Sequence, residues 1–231
     1  MLDFEKEFRG CECAEKRSFT SLNQRNYQKE MEKIIQGLRE EKKSLLLHSC
    51  CAPCSSAVLE KLQEIFEITV FFYNPNISED AEYKKRVEEQ KRLIAAFNGK
   101  NPNYPIQIIE GNYDPQEFYN IAKGLENCPE GGERCFQCYA LRLEETARTA
   151  KEGGYDYFTT TLTISPLKNA GKLNEIGEEM GQKYQTAFLP SDFKKKEGYK
   201  RSIELSKEYD LYRQDYCGCA FSKAESLKRN R

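Results

Sequence analysis

The chemistry open to this sequence is carried by thiols. Cys50-Cys51-Ala52-Pro53-Cys54 places three of them within five residues, and Cys135-Phe136-Gln137-Cys138 forms a C-x2-C pair with Cys128 upstream. Cys217-Gly218-Cys219 forms a third group, and Cys11 and Cys13 complete the ten cysteines. A structural disulfide framework belongs to small secreted chains. This chain has 231 residues, and its opening, Met1-Leu2-Asp3-Phe4-Glu5-Lys6, lacks the charged-then-apolar order of a signal peptide. The expectation is a cytoplasmic protein that uses its thiols for metal ligation or redox work. His48 is the sole histidine, so a mixed Cys/His zinc site and a histidine general base are nearly excluded. A metal here would be held mainly by thiolate, with or without carboxylate, which favours iron–sulfur or zinc.

Each group has a chemical reading and a plainer one. The Cys50–Cys54 group falls at a strand-to-helix junction, where the helix dipole favours thiolate. Adjacent cysteines project differently and can bridge two centres or two faces of one cluster; the plainer reading is three small buried apolar groups. Cys135 and Cys138 can converge on one metal or on two irons of one cluster, and structural zinc is the second reading. A C-x-C disulfide closes a strained, easily reduced ring, which suits a redox pair at Cys217 and Cys219; the alternative is two further metal ligands. His48 reads as a hydrogen-bonded histidine near the site. Cys11 and Cys13 sit in a weakly patterned segment and receive no assignment.

Alternating strands and helices must position these groups. An amphipathic helix is expected over residues 23–41, with Tyr27, Met31, Ile34, Ile35 and Leu38 at helical spacing. Strands are expected over 44–48, 67–73, 105–110, 155–162 and 185–189, with helices over 57–65, 79–97, 114–123, 139–151, 173–181 and 197–210. Residues 126–138 read as a cysteine loop and 165–169 as a turn. The division is an N-terminal extension, 1–43, and an α/β domain, 44–231. That order predicts one parallel, Rossmann-like sheet with right-handed crossovers and a cysteine-rich site at the strand carboxyl ends.

Composition bounds the rest. Charged residues are 32% of the chain and apolar ones 39%, while 14 Tyr and 13 Phe are enough to build a core. The formal net charge of −1 excludes a basic nucleic-acid clamp as the global design, although Lys194, Lys195, Lys196, Lys200 and Arg201 form a local basic run. Such a run is usually a solvated face. No apolar run approaches the roughly 18 residues of a membrane span, so no membrane partner is expected.

Three motifs together carry a resemblance: Leu46-Leu47-His48-Ser49-Cys50-Cys51-Ala52-Pro53-Cys54, Cys135-Phe136-Gln137-Cys138-Tyr139-x-x-Arg142-Leu143, and Tyr212-Arg213-Gln214-Asp215-Tyr216-Cys217-Gly218-Cys219. Over residues 44–222 the chain resembles the QueH family of epoxyqueuosine reductases. The resemblance implies an adenine-nucleotide-hydrolase-like α/β fold and an oxidoreductase. Its reaction would be the two-electron deoxygenation of epoxyqueuosine in the anticodon of tRNA to queuosine. By motif, it implies that Cys50, Cys51, Cys135 and Cys138 ligate a [4Fe–4S] cluster. It also implies that Cys217 and Cys219 are a redox-active disulfide pair and that a separate electron donor is a partner. Some members carry an acidic residue where this chain has Cys54, which leaves an additional mononuclear metal at Cys54 open. Tyr139, Asp215 and Tyr216 lie near the motifs as proton-donor candidates. Two other readings remain: an ATP-dependent tRNA thiolation enzyme on a similar fold, which would want a Ser-Gly-Gly-type phosphate loop where Pro53 removes a donor, and a non-catalytic zinc-binding module.

Overall fold

The computed structural model describes residues 25–38 and 42–229. Five strands form one all-parallel sheet: β1 (Lys43–His48), β2 (Phe66–Phe72), β3 (Gln107–Glu110), β4 (Tyr157–Thr160) and β5 (Ala187–Phe188). Their order across the sheet is β3-β2-β1-β4-β5. The helices are α1 (Tyr27–Gly37), α2 (Ala52–Leu62), α3 (Asp80–Lys100), α4 (Pro115–Ala122), α5 (Glu133–Glu152), α6 (Ala170–Tyr184), α7 (Gly198–Glu208) and α8 (Ala220–Arg229). The expected single α/β domain with a Rossmann-like parallel sheet is the architecture found.

β1 is central because it can be buried on both faces. Leu45, Leu46 and Leu47 are all fully buried, each contributing roughly 1.5–3 kcal/mol of burial free energy. Leu45 and Leu47 face the cluster formed with Val58, Leu59, Leu62 and Phe97, and Leu46 faces Leu143, Phe158 and Leu173 on the other side. This alternation places α2 and α3 on one face and α5 and α6 on the other. The chain runs outward from β1 through β2 to β3, then returns to add β4 on the opposite side of β1. That reversal opens a crevice at the carboxyl ends of β1 and β4, where ligands of open α/β sheets bind.

α1 packs on the main core through Met31, Ile34, Ile35 and Leu38. It is also tied down by ion pairs, from Arg25 just before it to Glu178 at 2.8 Å and from Glu32 at its middle to Lys196 at 2.6 Å. The N-terminal amphipathic helix therefore shares the core of the α/β domain. Cys11 and Cys13 lie outside the described residues.

The three largest departures from expectation lie at the site. α2 begins at Ala52, not near residue 57, because Pro53 fits a first-turn position and needs no N–H there. α5 begins at Glu133, so Cys135 and Cys138 stand in its first turns and not in a loop; Gly131, at φ +86°, makes the turn that leads to the Gly132 cap. α8 follows Cys219 directly. Its buried face is polar, Ser222 and Ser226, so no apolar periodicity announces it. No helix among the described residues is long and apolar enough to cross a membrane.

Candidate active site

The Cys50–Cys54 segment leaves the end of β1 and turns at once into α2. Its three sulfurs all lie within 4.8 Å of one another, and Cys50 and Cys51 Sγ are 3.8 Å apart. Thr161, in the 3-10 turn (Thr161–Ile164) after β4, places its hydroxyl 3.8 Å from Cys50 Sγ. The trio thus sits in the crevice between β1 and β4 with a helix N-terminus beneath it. Hydrogen bonds from the Cys51 and Cys54 thiols, helped by Arg142 and Lys168, pull Cys50 well below the usual thiol range. The charge on Cys50 in turn pushes Cys51 up to about 12 and Cys54 upward. One thiolate is shared among three sulfurs.

Cys135 packs against the buried cluster that contains Cys50 and Cys51, and its sulfur accepts the Gly131 N–H at 3.2 Å. Cys138, one turn on, is buried with Phe118, Ala122 and Cys219. Burial raises both thiols above their ordinary value. The two lie outside the trio of mutually close sulfurs, which includes Cys54. Cys128 is half-buried in the loop before α5, and its carbonyl accepts from Arg134.

Cys217 and Cys219 are free thiols, as are all eight cysteines of the described residues. Their sulfurs are 3.7 Å apart, and Ser222 Oγ lies 3.1 Å from Cys217 Sγ. The Cys219 thiol, with Lys168 nearby, draws Cys217 well below the thiol range, while Cys219 is driven upward by that neighbour. The charge of the pair is thereby drawn to Cys217 and its proton to Cys219. The pair is anchored by its backbone. Arg86 Nη1 and Asn76 Nδ2 donate to the Cys217 carbonyl at 3.1 and 3.4 Å, and Ser78 N–H donates to the Gly218 carbonyl at 3.1 Å.

Arg142 joins the three groups. It stands one turn beyond Cys138 on α5, is 3% exposed, and donates from Nη1 to Asn74 Oδ1 at 3.0 Å and Asn76 Oδ1 at 3.2 Å. Asn74 Nδ2 donates in turn to the Ser49 carbonyl at 2.8 Å. The ends of β1 and β2, the middle of α5 and the Cys217 strap are therefore one hydrogen-bonded network. Among the described residues Arg142 has no carboxylate partner, and its Nε has no hydrogen bond. Burial opposes its charge, and the neighbouring thiols Cys138, Cys50 and Cys217 sustain it. Sequence reasoning gave Arg142, Asn74 and Asn76 no role. The available signal was the i, i+3, i+7 spacing of Cys135, Cys138 and Arg142, which puts all three on one helix face.

His48 is fully buried at the end of β1. Its Nε2 lies 3.1 Å from the Tyr73 carbonyl and its Nδ1 2.9 Å from Thr160 Oγ1. A carbonyl only accepts, so Nε2 carries the proton and Nδ1 accepts from the threonine hydroxyl. Burial holds the ring neutral, with its pKa down at about 3. His48 ties strands β1, β2 and β4 together at their carboxyl ends.

A cavity of about 160 Å³ opens over this centre, lined by Cys50, Cys54, Cys217, Arg86, Arg142 and Lys168, among others. Tyr199, Arg213 and Tyr216 also line it. The basic run lies elsewhere and is largely self-paired: Lys194 with Asp192, Lys200 with Glu197, and Arg201 with Glu60 and Glu204.

Comparison with known proteins agrees with the motifs. A sequence model of the family described as epoxyqueuosine reductase QueH matches residues 45–225. The epoxyqueuosine reductase QueH of Staphylococcus epidermidis is 46% identical over 201 residues, covering 85% of this chain and 84% of its own. That of Streptococcus pyogenes is 44% identical over 199 residues, covering 85% and 78%. That of Thermotoga maritima is 35% identical over 190 residues, covering 81% and 94%. With its thiol groups gathered at the switch point of the sheet and this similarity along most of its length, the chain belongs to the epoxyqueuosine reductase QueH family.

Proposed function

We propose that this protein reduces epoxyqueuosine in tRNA to queuosine, using a [4Fe–4S] cluster on Cys50, Cys51, Cys135 and Cys138 and a redox-active pair at Cys217 and Cys219. The observation that carries the reading is the buried Arg142, surrounded by thiols and lacking any carboxylate. A buried cation is costly unless it is compensated, and a thiolate-ligated cluster, which is anionic, would meet this charge more fully than the neighbouring thiols alone. The donor set also fits: Cys50 and Cys51 leave a strand end, and Cys135 and Cys138 lie in the first turns of α5, where the helix dipole favours thiolate. When bound, the cluster would supply single electrons at low potential.

The protein's own residues do the rest. Asn74 and Asn76 fix Arg142, and Arg86, Asn76 and Ser78 hold the Cys217 strap at the cavity. The asymmetric thiol pair offers a store for a second electron, which an epoxide deoxygenation consumes. Cys54 lies close enough to Cys50 and Cys51 to take part in binding an additional mononuclear metal. Thiolation chemistry fits poorly, because the N-terminus of α2 presents sulfurs and Pro53 where a phosphate cradle would need free N–H donors.

Anaerobic purification tests this reading. The expected protein is brown, absorbs broadly near 400 nm, and forms queuosine from epoxyqueuosine-containing tRNA when given a low-potential electron donor. Replacing Cys50, Cys51, Cys135 or Cys138 by Ala should lower bound iron and abolish the reaction. Full iron and sulfide in Cys135→Ala would remove that residue from the ligand set. Cys217→Ser/Cys219→Ser should keep the iron and lose multiple turnover. Loss of about one metal per chain in that variant would make the pair ligands. A colourless zinc protein without reductase activity would overturn the whole reading.

A further inference from the structure

We propose that Lys168 is a catalytic residue that donates a proton to the oxygen leaving the epoxide, an inference that rests on the reductase reading above. Lys168 lies on the turn between the 3-10 segment after β4 and α6, at the open crevice of the sheet. It lines the same cavity as Cys50, Cys54 and Cys217. The other cations there are committed. Arg86 pairs with Glu82 at 2.7 Å and holds the Cys217 carbonyl, Arg142 is held by two asparagines, and Arg213 donates to Ser206 Oγ at 3.1 Å. The Lys168 backbone N–H donates to the Ser165 carbonyl at 3.3 Å, but its ammonium has no hydrogen bond or ion pair with any described residue, and the Tyr139 ring, 6.0 Å from Nζ, is its aromatic neighbour.

An ammonium has three donors and no acceptor. Three unspent donors at a cavity wall await an acceptor from the ligand. Burial works against the charge of Lys168, yet the fields of Cys217, Tyr139 and Cys50 outweigh it and keep the group protonated. Two of the sequence's three candidates are less well placed, and the third, Tyr216, shares the cavity wall. Tyr139 is buried beside Leu143 and burial pushes its hydroxyl up to about 12, and Asp215 already accepts from Ser226 at 3.1 Å.

The reaction balances around this lysine. An epoxide plus two electrons and two protons gives an alkene and water. The electrons come from a low-potential one-electron donor, delivered twice. The first C–O bond breaks and Lys168 Nζ protonates the alkoxide, which is more basic than an amine. The second C–O bond breaks as the C=C bond forms, and the oxygen leaves as water, taking its second proton from Lys168 after the amine has been reprotonated by solvent.

The test is single-turnover reduction of epoxyqueuosine-containing tRNA, with the low-potential donor present in excess, by wild type, Lys168→Ala and Lys168→Arg, with iron content and tRNA Kd measured on each. A general acid is worth about 10²-fold or more. Both variants should be slowed by that amount with unchanged iron and Kd, since arginine keeps the charge but releases no proton. Added ethylamine should restore part of the Lys168→Ala rate. A wild-type rate in Lys168→Ala, recovery in Lys168→Arg, absence of amine rescue, or a loss that appears in Kd or iron would each overturn the role. A wild-type protein that binds iron and tRNA but leaves the epoxide intact would instead remove the reductase reading, and this role with it.

Discussion

Arg86 donates from Nη1 to the backbone carbonyl of Cys217 across 3.1 Å, from a helix on the far side of the strap. Its charge is met by Glu82 on its own helix at 2.7 Å, and its guanidinium lies 5.3 Å from the centre of the Tyr216 ring. The side chain is 2% exposed. The position of the thiol pair is therefore set in part by a buried ion pair, alongside the Asn76 and Ser78 contacts and the packing of Cys219 with Phe118 and Cys138.

Removing that hold should free the strap before it unfolds the domain. Arg86→Met leaves Glu82 without its partner and the Cys217 carbonyl one donor short. Hydrogen bonds to charged groups are worth about 1.5–3 kcal/mol, so a denaturant titration should show a loss of about 2 kcal/mol or more. Alkylation of Cys217 by iodoacetamide should also accelerate. Unchanged alkylation at reduced stability would show that the strap is held by its other contacts.

Gly218 is the second constraint on the same segment. Its φ of +119° and the 2.8 Å approach of an added Cβ to Ile77 Cγ1 leave no room for a side chain. Gly218→Ala should cost about 1–3 kcal/mol and should shift the Cys217–Cys219 redox equilibrium, measured against glutathione buffers. A variant as stable as wild type would mean that the backbone here relaxes freely.

His48 makes fold stability depend on pH in one direction. Its folded pKa, about 3, lies below the unfolded value near 6.5, so below pH 6.5 the unfolded chain binds a proton that the folded one refuses. Its contribution is complete above pH 6.5 and is lost as pH falls toward 3, at about 1.4 kcal/mol per unit. His48→Phe should flatten this part of the profile and cost about 1–3 kcal/mol at neutral pH, because Thr160 and the Tyr73 carbonyl lose a buried partner. A stability profile between pH 4 and 6.5 that is the same in both proteins would remove His48 as its source.

The lysine run is best tested by neutralisation. Reversal to glutamate would set new carboxylates against Asp192, Glu32 and Glu60, the present partners of Lys194, Lys196 and Arg201, and would report on folding. Changing Lys194, Lys195, Lys196 and Arg201 to Gln should raise the KM for tRNA and reduce its salt dependence if this run meets phosphates, with iron unchanged. A wild-type salt slope would place tRNA docking elsewhere.

The sheet was legible because parallel strands are written in uninterrupted apolar runs such as Leu45-Leu46-Leu47, and each was found within a residue or two of its expected start. The site's thiols were legible by type and spacing. What the sequence hid is polar and buried. Asn74 and Asn76 flank a proline and read as a turn, Arg142 reads as one more charged residue on an amphipathic helix, and Arg86 as another. Their roles come from contacts over long chain separations, such as Arg86 to Cys217, for which local patterning has no signature. The same cause misplaced the starts of α2 and α5 and hid α8: where a helix face serves the site, its residues are cysteines, serines and arginines, and apolar periodicity is silent.

The central position of β1 also orders events as the chain folds. β1 and β2 are neighbours in sequence and can pair early, while His48 meets Thr160 only across 112 residues. Contacts that span so much chain form late, because closing the loop precedes any gain from the contact. Until β4 docks, the sulfurs of Cys50, Cys51 and Cys54 stand at the edge of a half-built sheet, without Thr161 beside them. Oxidation of these thiols has that interval in which to act, and the docking rate of one short strand sets how long it lasts.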